Sequence, residues 1–484
     1  MAIFDDFDTR SFQFMKNSLL TKPRLWLALI AFAYLPVAKA ATEIPPNIVL
    51  IISDDHSWTD YGFMGHPHIE TPHLDRLAAR SALFPRGYVP TALCRPALAT
   101  LITGKYAHQH GITGNDPSSV ESQEKPHVLR DTLIAKIDPM PKVPELLAPK
   151  GYLSHQSGKW WEGNFKRGGF THGMTRGFPE PGGRHGDDGL IIGREGMAPI
   201  FEFIDHSLAQ EKPFFLWYAP LLPHTPHNPP KRLFDKYKAM DIESEKVARY
   251  YAMVEWFDET CGQLLDRLEE KSLTENTLVI YIGDNGWIQD PVGDLYGPRS
   301  KQSANEGGIR QPTLFFWPGT ILPGDRGDQL CSSIDIVPTL LAAAGANIPD
   351  SLPGYNLLPI LKSGSPTPRA EVLGETFAHD IADLDDPEAS LLYRWVIEDR
   401  WKLLLTYDGK LGSHAKSHPR DEKRPQLYDL HADPHEEKNL ASAHPEVVAH
   451  LATRLQQWWP VTQRQVLIEW HDEAGEWEYP IPKE

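Results

Sequence analysis

Two apolar runs of this chain end in oxygen-bearing pairs. Asn47-Ile48-Val49-Leu50-Ile51-Ile52 runs into Ser53-Asp54-Asp55-His56, and Thr277–Ile282 (TLVIYI) runs into Gly283-Asp284-Asn285-Gly286. Adjacent carboxylates at a buried strand end are costly unless a cation neutralises them. A donor set made only of oxygens suits Ca2+ or Mg2+, whereas Zn2+ favours histidine and thiolate. Either pair alone also reads as a solvated turn. Basic groups recur near comparable boundaries: Lys159 in Ser157-Gly158-Lys159-Trp160-Trp161, Lys301 after Ser300, and His224 and His227 in the proline-rich segment after PFFLWYA. A lone lysine is ordinarily solvated, and histidines among prolines often do nothing. Prolines nevertheless make the segment stiff enough to hold both rings in place. If the strands are neighbours, these groups describe a site for a tetrahedral oxyanion ester. A metal and lysines would hold its oxygens while a nucleophile and a general acid act in line.

Cys94 fits this set least well. It lies in Pro90–Tyr106 (PTALCRPALATLITGKY), where Pro96 suits the first position of a helix and Gly104 the position just past its end. Cys94 would then stand at the positive end of a short helix, which favours an anion or an anionic transition state. Free cysteine is more often a small buried hydrophobe, and a soft thiol is a poor companion for hard oxygens. Cys94 therefore lies outside the site or does not remain a thiol.

The elements that must position these residues alternate between strand and helix. Continuous apolar runs at Asn47–Ile52, Pro213–Ala219, Thr277–Ile282 and Thr313–Trp317 read as buried strands of an α/β sheet, with a further strand at Tyr152–Gln156. In such sheets the working residues gather beyond the carboxyl ends of the strands. Helices are expected at His73–Ala82, Val143–Lys150, Ile200–Leu208, Glu245–Lys271, Asp335–Ala344 and Pro445–Trp459. Gly168–Met197, with Arg184 and His185, reads as a long functional loop. The Pro-, Gly- and Ser-rich stretch Ile348–Pro368 is the best boundary. It separates a catalytic domain at 43–365 from a C-terminal subdomain at 366–484, where Val372–Phe377, Arg394–Ile397, Trp401–Tyr407 and Gln426–Asp429 look like short strands.

With 484 residues, a large domain plus a smaller one is the natural expectation. A formal net charge of −17 argues against a nucleic-acid or anionic-membrane binder. Three cysteines cannot build a disulfide framework, although a Cys261–Cys331 bridge is open. Residues 1–40 read as an export signal whose true start is expected at Met15. It has a basic segment, the apolar run Leu25–Leu35 and the cleavage pattern Ala38-Lys39-Ala40. That run is too short for a stable membrane span, so the expected location is periplasmic or secreted.

From Pro46 to Glu437 the sequence resembles the type I sulfatases of the alkaline phosphatase superfamily. The resemblance is carried by Asp54-Asp55, CRPALATLITGKY, SGKW, PFFLWYAPLLPHTPH, NTLVIYIGDNG, Lys301 with EGGIRQP, and LYDLHADPHEEKNL, in that order. It implies an alkaline-phosphatase-like fold: a large mixed β-sheet sandwiched by helices, plus a smaller C-terminal α+β subdomain with a short antiparallel sheet. It further implies that a maturation enzyme oxidises Cys94 to formylglycine, whose hydrate attacks sulfur. Asp54, Asp55, Asp284, Asn285 and the modified Cys94 would hold one Ca2+. Lys159 and Lys301 would grip the sulfate, and His224 would stand by the leaving group. Leu98 replaces the family's arginine four residues after the cysteine, and Arg95 follows the cysteine directly. Trp161 stands where a histidine is common. Arg95, Arg184, His185 and His227 are the candidate substrate contacts.

The expected activity is hydrolysis of a sulfuric ester, with a sulfated carbohydrate as substrate. Two other readings stay open: a phosphonate or phosphodiester hydrolase using the same apparatus, and a non-catalytic relative that binds sulfated glycans.

Overall fold

The computed structural model describes residues 45–118, 126–411 and 424–466. The expected export signal lies outside the described residues. Among them, no helix is long and apolar enough to cross a membrane.

Asn47–Ser53 is a strand buried along its whole length, inside an eight-stranded sheet. From one edge the order is Gly324–Asp325, Ala82–Phe84, Thr313–Phe316, Thr277–Gly283, Asn47–Ser53, Phe214–Ala219, Leu153–Gly158 and His172–Gly173. Asn47–Ser53 pairs in parallel with both Phe214–Ala219 and Thr277–Gly283. Thr313–Phe316 runs antiparallel to both of its neighbours, which makes the sheet mixed. Register decides what gathers at the strand ends. Ser53 lies opposite Gly283, so Asp54 and Asp284 emerge together. Gly158 lies opposite Ala219, so Lys159 and the Pro220 segment emerge beside them.

The pleat sends alternate residues of the central strand to opposite faces. Ile48, Leu50 and Ile52 pack with Leu98, Leu101, Val337 and Leu340 from helices Cys94–Thr103 and Ile336–Ala343. Val49 and Ile51 pack with Ile200, Phe203, Phe257 and Leu264 from helices Ala198–Ala209 and Glu245–Glu270. Full burial of each such side chain contributes roughly 1.5–3 kcal/mol. These two layers hold the strand ends fixed.

A four-stranded antiparallel sheet follows in the order Glu371–Phe377, Leu391–Glu398, Trp401–Thr406, Gln426–Asp429. One face packs Val396, Leu403 and Leu405 against Val448, Leu451 and Leu455 of helix Pro445–Trp458. Trp395, Ile397 and Leu404 join the core on the Cys94 side of the large sheet. A buried ion cluster reinforces this contact: Lys402 Nζ lies 3.1 Å from Glu306 Oε1 and 2.7 Å from Glu436 Oε1.

Several elements depart from the sequence reading. The first helix is Pro72–Ala78, and Ala82 opens a strand paired with Thr313–Phe316. Val143–Leu147 is α-helical but tightens into a 3-10 turn at Ala148–Lys150, where Pro149 has no N–H for an α-helical bond. The Gly168–Met197 loop contains a 3-10 turn at Asp187–Ile191 and the edge strand His172–Gly173. All three cysteines are free. Cys261 and Cys331 lie in cores on opposite sides of the sheet, so the bridge left open above does not form.

Candidate active site

Helix Cys94–Thr103 starts after the extended Leu93 and ends at Gly104, whose φ of 68° is left-handed. Cys94 is thus in the first turn. Pro96 is the third helical residue, still among the positions whose N–H groups lack intrahelical partners. Cys94 Sγ lies 3.9 Å from Asp54 Oδ1. Burial pushes the thiol up to about 12, against the pull of Lys159 and Lys301. As encoded, the side chain is a protonated thiol and a weak nucleophile.

The carboxylates are tightly organised. Asp55 takes a left-handed backbone with φ 62°, a conformation that aspartate adopts more readily than most residues. Its N–H donates to Asp284 Oδ1 at 3.2 Å. Its Oδ1 accepts from Asn285 Nδ2 at 2.7 Å and from Lys301 Nζ at 2.5 Å. His224 Nε2 lies 3.3 Å from Asp55 Oδ2. Lys159 Nζ lies 2.6 Å from Asp54 Oδ2. Burial raises Asp54 to about 7 against His224 and Lys159, and burial raises Asp284 as well. Burial pushes Asp55 the same way, but Lys301, His224 and Lys159 outweigh it and hold the carboxyl below its usual range.

These oxygens fit a hard cation. Asp54, Asp55 and Asp284 are three buried carboxylates facing two lysines, Lys159 and Lys301. Asp284 Oδ2 and Asn285 Oδ1 are buried and accept no hydrogen bond. Ligand-type atoms of Asp54, Asp55, Cys94 and His224 lie within 4.8 Å of one another. Buried unpaired oxygens and a residual negative charge are what a divalent ion with oxygen preference requires.

Asp55, Cys94, Lys159, His224 and Lys301 line one cavity of about 230 Å³, and Arg184 and His185 form part of its wall. Arg95 does not reach it. Its guanidinium donates to both oxygens of Glu162, at 2.8 and 2.7 Å, and to the Asn115 carbonyl. Leu98 packs in the core. His227 packs at a tilt 5.5 Å from Tyr250 and edge-on 5.8 Å from Trp287, and it is not part of that wall. Burial lowers His224 to about 4 and His185 to about 3. The wall also includes Asn115, Trp161, Trp287, Gln302 and His379. Gln302 could have been inferred as the neighbour of Lys301. Asn115 and His379 belong to distant segments and carry no local signal.

A mixed sheet between helix layers, with an oxygen cluster, two lysines and a helix-start cysteine at its strand ends, defines an ester hydrolase that works on an oxyanion. Residues 46–346 match the family described as Sulfatase, and residues 296–460 match "N-sulphoglucosamine sulphohydrolase, C-terminal". The chain belongs to the sulfatase family and is a sulfuric ester hydrolase. Human arylsulfatase A is 31% identical over 472 residues, covering 86% of this chain and 88% of that protein. Human N-acetylgalactosamine-6-sulfatase is 31% identical over 359 residues, 66% of each chain. A solved structure, BT4656 in complex with its substrate D-glucosamine-2-N,6-O-disulfate, aligns with a TM-score of 0.62 at 20% identity. The alignment covers 86% of this chain and 97% of that one.

Proposed function

We propose that this sulfatase is exported and removes sulfate from a sulfated carbohydrate of the glycosaminoglycan type. Cys94, converted to formylglycine by a maturation enzyme, would be its nucleophile. Asp54, Asp55, Asp284 and Asn285 would hold Ca2+, with the modified residue completing the set. Residues 43–365 would carry the chemistry and 366–484 a docked subdomain. The gathering of ligand atoms of Asp54, Asp55, Cys94 and His224 within 4.8 Å of one another, together with the unpaired buried oxygens of Asp284 and Asn285, carries this reading. The substrate class rests on the relatives, whose names specify N-acetylgalactosamine 6-sulfate and a sulfated glucosamine.

When present, the formylglycine hydrate would supply an oxygen nucleophile that a buried thiol cannot, and Ca2+ would polarise the ester oxygens. The protein's own groups do the rest. Lys159 and Lys301, paired with Asp54 and Asp55, would hold non-bridging sulfate oxygens. His224 Nδ1 donates to the Thr225 carbonyl at 2.6 Å. With Nδ1 so committed, Nε2 would be the nitrogen that hands a proton to the departing alcohol; burial leaves the free ring neutral, so Nε2 would first take that proton from solvent. Trp161 and Trp287 exclude water from one side of the cavity.

Parallel assays with an aryl sulfate, an aryl phosphonate and a phosphodiester test the reaction, together with sulfate release from N-acetylgalactosamine 6-sulfate. Mass spectrometry of the Gly87–Lys105 peptide, from protein co-expressed with the maturation enzyme, tests the nucleophile. The expected result is sulfatase turnover and an aldehyde at position 94. A retained thiol in active protein, or phosphodiester turnover well above sulfatase turnover, would overturn the proposal.

A further inference from the structure

The cavity wall on the Arg184 side carries more positive charge than its partner neutralises. Asp116 accepts from Arg184 Nε at 2.9 Å and from Arg184 Nη2, and it also accepts from Arg130 Nη2. One carboxylate thus serves two guanidiniums, and among the described residues neither arginine pairs with a second acid. Arg95 shows the contrasting case, matched one to one by Glu162. Arg130 is turned away, its guanidinium 5.5 Å over the Phe178 ring. Arg184 faces the cavity with its guanidinium 4.7 Å over the Trp161 ring. It is therefore braced by Asp116 and Trp161, yet its side chain remains 40% exposed. Next to it, Trp161 Nε1 and His185 Nδ1 are buried without hydrogen-bond partners, and Trp161 itself is only 3% exposed.

A surplus guanidinium, held rigid beside unpartnered polar atoms, is suited to an anion. Its planar fork matches a carboxylate or a sulfate with two parallel hydrogen bonds. On a chain of net charge −17, this is a local feature of the cavity and not a general attraction. We propose that Arg184, positioned by Asp116 and Arg130, binds a second anionic group of the saccharide, distinct from the sulfate ester that is cleaved. That group is the carboxylate of a uronate or a further sulfate. The inference rests on the reading above that the cavity receives a sulfated sugar. It narrows the substrate to saccharides carrying at least two negative groups.

Equilibrium binding to full-length Cys94→Ala protein tests this without turnover or maturation. The probes are a monosulfated N-acetylhexosamine, a disulfated hexosamine and a disaccharide of a uronate with a monosulfated hexosamine. At least one doubly anionic probe should bind about tenfold or more tightly than the monosulfated one. Adding Arg184→Gln should cut that advantage below about threefold, and Arg184→Lys, which keeps the charge without the fork, should retain part of it. Thermal midpoints of the variants verify folding. The probe showing the advantage identifies the anion as sulfate or carboxylate. No advantage in the Cys94→Ala protein, an advantage that survives Arg184→Gln, or no binding of any probe would overturn the inference. If the preference depends on Arg184 but no sulfate ester is hydrolysed by matured protein, only the proposed function fails.

Discussion

Asp335 and Asp284 are both fully buried carboxylates, and they differ in what faces their oxygens. Asp335 Oδ1 accepts from the Tyr355 N–H at 2.8 Å and from Arg369 Nη2. Its Oδ2 accepts from Arg369 Nε at 2.7 Å and from the Ser332 N–H at 3.1 Å. Asp284 has the Asp55 N–H on one oxygen and no hydrogen bond on the other. The same chain can surround a buried charge completely, and it does so where the charge serves only the fold. Buried polar atoms are nearly always paired, so the incomplete shell at the strand ends marks a place for something the chain does not itself provide.

The comparison should break most visibly at the proposed catalytic end. Cys94→Ala and Asp284→Ala should each lower aryl sulfate turnover by about 10³-fold or more. In chelator, Asp284→Ala should unfold no earlier than the parent, because it removes a buried charge whose shell is incomplete. A sharp drop in thermal midpoint would place Asp284 with Asp335 as a structural acid. Arg369→Ala should behave in the opposite way. Leaving Asp335 buried without its cation is expected to cost about 3–5 kcal/mol, read from denaturant unfolding.

Calcium should separate the two regions more gently. At a concentration near 100 times its Kd, Ca2+ should stabilise the parent by about 2.7 kcal/mol, and a chelator should reverse the shift. Asp284→Ala should lose this response while a mild variant near Asp335, Ser332→Ala, keeps it. Equal responses in both would dissolve the distinction. The smallest effect is expected at Cys261, buried in the core on the far side of the sheet from Cys94. Cys261→Ala should cost about 1 kcal/mol and leave kcat/KM unchanged.

The strand-end residues were legible because each sits next to a local signal. Asp54-Asp55 and Asp284-Asn285 follow continuous apolar runs, and parallel pairing necessarily brings those ends together. The C-terminal strands were legible from their apolar spacing. Arg95 shows where this reasoning stops. It adjoins Cys94 in sequence, but one helical step of about 100° turns it from the cavity toward Glu162. Glu162 lies 67 positions away, and no local pattern announces the pair. Asn115 and His379 reach the cavity for the same non-local reason. The helix expected to continue to Ala82 stopped at Ala78 because pairing with Thr313–Phe316 claims Ala82–Phe84 for the sheet. Tertiary contacts there outweigh helix periodicity.

The left-handed backbone at Asp55 ties stability and chemistry to a single codon. For an L-residue such a conformation costs about 1–2 kcal/mol, and glycine escapes the cost. Glycine would therefore relax the turn while removing the carboxylate that meets Lys301 and His224. The strain relieved is smaller than the roughly 3–5 kcal/mol expected from leaving buried Lys301 without its carboxylate, so the fold and the proposed reaction both hold aspartate at position 55.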